Sequence, residues 1–395
     1  MLQHIEKLHR IASASERLIV GLMSGTSLDG LDIALCKISG HGTSTNLRCE
    51  KFTTVDYSEA LKTAVQHVFA QQVVSLDALC LLNAQIGQLH GEMINQTLLD
   101  WGVANESIDL IASHGQTIYH RPSSFHKMKN QPNSTLQIGD GDHIAAITGI
   151  TTVSDFRQKH IAHGGEGAPL AMYGDYLLLR SEKEHRILLN IGGIANITYL
   201  PCSATFDEVI CSDIGPGNTI MDALARLHCD YDYDKDANIA KQGSINKVLL
   251  KRMLKQSFIN LPLPKTTGPE TFNLDWFNAQ LKAMHLENLS VPDQMATLNA
   301  FTAHAIANTL KQLPEISTVY VSGGGAHNPL LLDNISHLLN RPVFSTNKLD
   351  VNSDAKEAIL FAVLANECVA GDERAFLSNN AKQPNVSMGK LSFPS

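Results

Sequence analysis

The stretch GLMSGTSLDGLDIALC, residues 21–36, sets a turn of glycine and hydroxyl residues between two apolar runs. Small residues there leave backbone N–H groups open to an anion, and the hydroxyls of Ser24, Thr26 and Ser27 add donors. Asp29 and Asp32 would repel a phosphate unless a cation stands between, so the same turn points to Mg2+ held partly through water. An apolar strand running into a glycine turn recurs at Gly192–Gly193 and at Gly323–Gly325. One such turn is ordinarily only a hairpin; three at the ends of apolar strands point to a nucleotide triphosphate. There is no Gly-x4-Gly-Lys-Ser/Thr, which excludes a P-loop enzyme. Nor does a Gly-x-Gly-x-x-Gly open a first βαβ helix, which disfavours a dinucleotide fold.

The second chemical stretch is CSDIGPGNTIMDA, residues 211–223. The pattern puts Asp213 at a strand end, bends the chain at Gly215-Pro216-Gly217 and offers Asn218 as a helix cap. A carboxylate so placed suits a general base, or it merely stabilises the turn. His114 and Gln116 are expected just after a strand, where histidine is more often a structural hydrogen-bonding group than a catalyst. Arg157 could bind an anion or sugar hydroxyls, or make a surface salt bridge. His160 and His163 lack a third metal ligand.

These residues need elements to hold them. Residues 17–23, 31–38 and 45–54 read as strands. Leu79, Leu82, Ile86, Leu89 and Met93 share one helix face, with Ser75 as N-cap and Gly102 as stop. Further strands are expected at 108–113, 186–200, 207–211 and 342–346, with helices from about 217, from Ser290-Pro292 and over 355–370. The reading is of two α/β lobes on one plan, 1–153 plus 355–395 and 154–354, each offering turns to a shared cleft.

The totals agree. A chain of 395 residues, 44% apolar and 18% charged, is ordinary globular material for two domains. The net charge of −8 argues against a nucleic-acid partner. No apolar run has membrane-spanning length, and the first 16 residues lack the apolar core of a signal peptide. Seven cysteines stand singly, suggesting neither a disulfide scaffold nor a zinc site, and read as reduced, mostly buried thiols in cytosol.

In order along the chain, GLMSGTSLDGLDIAL, SHGQTIYHRP, LQIGD, TTVSDFR, GGEGAPL, LLNIGGIANIT, DIGPGNTIMDA, PKTTGPETFN and VSGGGAHNPLL resemble the anhydro-N-acetylmuramic acid kinase family. The resemblance covers about residues 18–370. It implies a two-lobed actin-like (ribonuclease H-like) ATPase fold with a central cleft between the lobes. It also implies an ATP- and Mg2+-dependent kinase that opens a 1,6-anhydro amino sugar and phosphorylates O6, acting as a cytoplasmic homodimer. By matching position, Gly25, Thr26, Ser27, Leu28, Asp29, Gly30, Leu31 and Asp32 form the ATP segment, Gly192 and Gly193 the second phosphate turn, and Gly323, Gly324 and Gly325 the adenosine side. Asp213 would activate water, while His114, Arg157 and Glu270 would lie at the sugar. The chain departs from the family pattern at His160, Glu166, Ala171-Met172 and Pro269, all on the sugar side. Glu166 and Pro269 disfavour an anionic lactyl group and raise a neutral anhydrosugar such as levoglucosan as an alternative substrate. A non-catalytic actin-like nucleotide-binding protein is the alternative outside enzymes.

Overall fold

In a computed structural model, the described residues are 1–25, 28–268, 270–372 and 384–395. Thr26, Ser27 and Pro269, singled out above, lie outside them. The chain divides into two units, Met1–Leu179 with Ala355–Ser395, and Arg180–Asp354. The sequence reading sets the crossings at 153/154 and 354/355, whereas the units divide at 179/180 and 354/355. Pairing explains the difference. Residues 152–154 lie inside the first sheet, and the helix Ala171–Leu179 packs on the helix Lys356–Ala370 of the same unit.

The first unit opens with β1 (Glu16–Ser24), β2 (Gly30–Ser39) and β3 (Asn46–Asp56), an antiparallel meander. β4 (Leu110–Arg121) runs parallel to β1, β5 (Ser134–Ile138) pairs antiparallel with β4, and β6 (Thr152–Ser154) is parallel to β4. The C-terminal strand Lys390–Ser392 closes the edge against β6. A parallel return needs a long crossover, here the helices Glu59–Val68 and Leu76–Trp101. The second is capped as its sequence requires: Ser75 accepts from the Ala78 amide, and Gly102 takes the left-handed conformation at φ 67°. β1 is almost wholly buried because the helix Lys356–Ala370 lies on it. A Cβ at Gly21 would stand 2.0 Å from the Ala358 carbonyl oxygen, so only glycine permits that approach.

The second unit repeats the plan. β7 (Arg186–Ile191), β8 (Ile194–Leu200) and β9 (Ile210–Pro216) form an antiparallel meander. β10 (Thr318–Ser322) is parallel to β7 and β11 (Val343–Ser345) parallel to β10. The strand orders are therefore β3-β2-β1-β4-β6 and β9-β8-β7-β10-β11. The same order twice is the ribonuclease H-like arrangement of the actin-like fold. The helix Val291–Leu310 is buried along most of its length, with Leu298, Phe301 and Ile306 in the core beside Ile187, Leu189 and Ile197. Its polar residues Gln294, Thr297, Asn299, Thr302 and Thr309 are buried too, so the helix is enclosed by its neighbours on nearly every side.

Two strands run longer than their sequences suggest. β4 continues past 113, so His114 and Gln116 lie within a strand, because residues 116–121 find partners on β5. The expected strand 207–211 is instead a short 3-10 turn, Phe206–Glu208, closed by a Thr205–Glu208 capping box. β9 follows it and carries Asp213 in its interior, with Gly215 and Pro216 still paired to β8.

Candidate active site

In the first unit, the described part of the 21–32 turn is fixed from beneath by a buried chain of side chains. Tyr57 Oη donates to Ser24 Oγ at 2.8 Å, and Ser24 Oγ donates to Gln116 Oε1. Gln116 Nε2 in turn donates to the carbonyls of Gly25 (3.4 Å) and Thr117 (3.2 Å). Each hydroxyl has one hydrogen, so the 2.8 Å contact between Tyr57 Oη and His90 Nε2 must carry a proton from the imidazole. Burial lowers the His90 pKa to about 4, which keeps the ring neutral, with its one proton on Nε2 as the Tyr57 contact requires. Burial also raises the Tyr57 phenol, so it stays a donor. Beyond the turn, Leu28 is buried with φ +60°, Asp29 is exposed, and Asp32 is half-buried and accepts from Thr54 Oγ1 at 2.6 Å. Gly30 and Leu31 are buried in the β2–β3 pairing; a Cβ on Gly30 would lie 2.4 Å from the Val55 carbonyl oxygen.

His114 and Arg157 meet in the same unit. Arg157 donates through Nε (3.2 Å) and Nη2 (3.0 Å) to His114 Nε2, and through Nη1 to the Gly167 carbonyl at 2.7 Å. A ring nitrogen that accepts from a guanidinium is unprotonated. Burial first, and Arg157 second, hold the His114 pKa well below its usual value. Burial lowers the Arg157 pKa to about 10, opposed by Glu357, which leaves the guanidinium charged at neutral pH. Desolvation raises the Glu357 carboxyl against the pull of Lys356 and Arg157. His160 contacts the Tyr173 hydroxyl through Nε2 and accepts the Gly167 amide through Nδ1, so both ring nitrogens are engaged within the fold.

In the second unit three turns converge at the ends of β7, β9 and β10. The amides of Gly217 and Asn218 donate to the carbonyls of Gly193 and Gly192, each at 2.8 Å. Asn218 was expected to cap its helix, but its Nδ2 reaches the Ile191 carbonyl at 3.3 Å and makes no cap bond. Some glycines are demanded by this packing. A Cβ on Gly217 would lie 2.2 Å from Gly192 O, one on Gly325 2.3 Å from Ile191 Cγ2, and one on Gly323 2.7 Å from Asn190 Oδ1. Gly192 and Gly324 differ. A Cβ would meet nothing nearer than 3.8 Å at Gly192 and 3.6 Å at Gly324, and Gly324 is exposed. Their bare backbone suits a ligand that comes close to it.

Asp213 stands on β9 in this unit. Its Oδ2 accepts from the Thr267 amide at 2.9 Å, and its own amide donates to the Lys265 carbonyl at 2.9 Å. Burial pushes its pKa up to about 6; the Thr267 bond opposes the rise and the Glu270 charge adds to it. A carboxylate tuned to that value still ionises at neutral pH and takes a proton more readily than an ordinary Asp. Glu270 is exposed on the turn after Gly268. The segment bearing Thr267 and Glu270 is anchored by Lys265, a buried ammonium that donates to the carbonyls of Phe258 (3.1 Å) and Ile259 (2.9 Å).

The family model for anhydro-N-acetylmuramic acid kinase matches residues 17–391. The chain belongs to the anhydro-N-acetylmuramic acid kinase family. It is 53% identical over 401 residues to the anhydro-N-acetylmuramic acid kinase of Pseudoalteromonas atlantica, with all of both chains covered. It is 54% identical to that of Pseudoalteromonas translucida, with 99% of each covered. The kinase of the same name from Caldanaerobacter subterraneus is 38% identical, over 98% of this chain and all of the other. Several residues in contact with the candidate ones had no role in the sequence reading: Tyr57, His90 and Glu357, together with Lys265 and Thr267, which stand unassigned within PKTTGPETFN. His90 had a visible signal, since it follows Ile86 by four residues on the inward helix face. Lys265 and Thr267 reach Asp213 only through contacts more than 50 residues apart.

Proposed function

We propose that this kinase opens 1,6-anhydro-N-acetylmuramic acid hydrolytically and phosphorylates its O6, giving N-acetylmuramate 6-phosphate. The observation that carries the reading is Asp213, a carboxylate raised to about 6 and steered by the Thr267 amide in the unit that also holds the open glycine turns. ATP with Mg2+ supplies the transferable phosphoryl group and neutralises its charge when bound. Asp213 takes a proton from water as that water adds to the anomeric carbon on the face opposite the bridging oxygen. The bond from the anomeric carbon to O6 breaks, O6 accepts the γ-phosphoryl group as ADP leaves, and the proton held by Asp213 passes to solvent.

Backbone N–H groups at Gly192–Gly193 suit the phosphates and the exposed turn at Gly324 suits the adenosine, and the open space at Gly192 and Gly324 supports that fit. Among the described residues no group of three or more His, Cys, Asp or Glu could hold a metal by itself. Asp29 and Asp32 would hold Mg2+ as a pair, in keeping with an ion that keeps several waters and binds one or two carboxylates plus substrate phosphates. Arg157, oriented by His114 and Gly167, and Glu270 would contact the sugar. No helix among the described residues is long and apolar enough to cross a membrane. The family resemblance supports a cytoplasmic homodimer, which sedimentation of the purified protein would check.

The deciding assay is coupled ADP release over a panel of anhydrosugars. Turnover dependent on 1,6-anhydro-N-acetylmuramic acid and Mg2+, in preference to levoglucosan, is expected. No turnover with that sugar across pH and metal would refute the assignment.

A further inference from the structure

We infer that Cys36 and Cys49 are a peroxide-oxidisable dithiol, a modification site that closes as a disulfide between β2 and β3. The register pairs these two residues directly. Opposed residues of an antiparallel pair stand about 4.5–5.5 Å apart at Cα, inside the ~4.4–6.8 Å span of disulfides. The pairing is interrupted beside them: Leu35 faces Lys51 and Cys36 faces Cys49, so Glu50 is the extra residue of a bulge. Such bulges favour sheet edges, and β3 is the edge strand of its sheet.

The two thiols differ in the way a sensing pair requires. Cys36 is fully buried, while Cys49 is half-buried and open to a small oxidant. The Cys36 thiol rests on the Ala34 carbonyl (3.9 Å) and the Cys49 thiol on the Lys51 carbonyl (3.4 Å), and each perturbs the other, raising the Cys36 pKa and lowering that of Cys49. The accessible thiol is thus the nucleophile and the buried one the resolving group. Motif reading missed the pair because the residues are joined by register and not by a Cys-x-x-Cys spacing. It also expected most thiols to be buried, whereas Cys49, Cys202, Cys211, Cys229 and Cys368 are partly exposed and Cys80 is exposed.

The chemistry balances with peroxide as the named oxidant. The Cys49 thiolate attacks one peroxide oxygen, the O–O bond breaks, and hydroxide leaves and takes up a proton as water. Cys36 sulfur then attacks the Cys49 sulfenic acid; the S–O bond breaks and a second water leaves with the Cys36 proton. Two thiols lose two electrons, and hydrogen peroxide becomes two waters.

The test uses the full-length reduced protein treated with hydrogen peroxide, then alkylated in denaturant, digested and mapped by mass spectrometry. The expected result is a Cys36–Cys49 linked peptide, two hydrogens lighter than the reduced pair and reversed by dithiothreitol. Free thiols should fall by two of the seven. In Cys36→Ala the reaction should halt at a Cys49 sulfenic acid that dimedone traps, and in Cys49→Ala Cys36 should remain a thiol. If Cys36→Ala does not fold, the wild-type map decides alone. Peroxide that oxidises exposed Cys80 yet leaves Cys36 and Cys49 alkylatable, or that bridges Cys49 only to another partner, would overturn the inference.

Discussion

Tyr57 donates its phenolic hydrogen to Ser24 Oγ at 2.8 Å, and both residues are buried. The bond ties the residue that follows β3 to the last residue of β1, and through Gln116 it reaches the carbonyl of Gly25. Tyr57→Phe removes that donor and leaves the buried His90 Nε2–H without its acceptor. An unsatisfied buried donor costs about 1–3 kcal/mol. Denaturant unfolding should show a loss of that size, and KM for ATP should rise while kcat changes less. A cycle with Ser24→Ala should be non-additive, since the residues share one network; additive losses would show that the bond does not couple them.

Replacing Asp213 separates chemistry from nucleotide binding. Asp213→Asn keeps an acceptor for the Thr267 amide but cannot take a proton. Turnover should fall at least about 100-fold, with ATP affinity unchanged by calorimetry. An Asn variant with normal turnover would remove Asp213 as the base.

The same carboxylate sets the acid limb of the pH profile. Its pKa is raised from 3.8 to about 6, so on acidification it is protonated sooner than an ordinary Asp. Only the ionised form accepts the water's proton. kcat/KM should therefore be flat above about pH 7 and half-maximal near pH 6, falling about tenfold per unit below that. In the residual activity of Asp213→Asn this limb should be missing. A wild-type profile flat down to pH 5 would contradict the burial of this group.

Neighbouring glycines should answer differently to alanine. Gly325→Ala would drive a Cβ to 2.3 Å from Ile191 Cγ2 and should destabilise the second unit by roughly 1–3 kcal/mol. Gly324→Ala meets only an ordinary contact at 3.6 Å and should leave stability within about 0.5 kcal/mol of wild type. It should nevertheless weaken ATP binding by crowding the backbone. Unaltered ATP affinity in Gly324→Ala would discount that turn as a nucleotide site.

Arg157 is held by its fork. It gives two bonds to His114 and one to Gly167, a pattern an ammonium cannot reproduce. Arg157→Lys should raise KM for the sugar by roughly tenfold, about 1.4 kcal/mol, with KM for ATP little changed. Equal effects on both substrates would mean that Arg157 acts through the stability of its unit instead.

Local features of this fold were legible from local sequence. Ser75, Gly102 and Ser290 end their helices where the pattern put them, and the glycine turns fall at strand ends. What depends on pairing partners distant in sequence was not legible. β4 runs on through His114 because β5 supplies partners, and the first unit extends to Leu179 because β6 and the following helices find theirs within it. Asn218 has the residue type and position of a cap, but its backbone is already helical (φ −91°, ψ −18°) and not extended, and its Nδ2 turns to the Ile191 carbonyl. The environment of Asp213 shows the same limit: the carboxylate was visible, whereas its Thr267 donor and the Lys265 anchor come from a segment about 50 positions downstream.

The return of the chain at Ala355 has a consequence for biosynthesis. Arg180–Asp354 is one uninterrupted stretch, so everything its sheet needs has been translated by the time Asp354 is added. The first unit, although begun earlier, still lacks the helix that covers β1 and the strand Lys390–Ser392 that pairs with β6. The first unit therefore depends on the last-made part of the chain: a chain released at Asp354 would hold every strand of the second sheet, while in the first β1 would be uncovered and β6 would lack its outer partner.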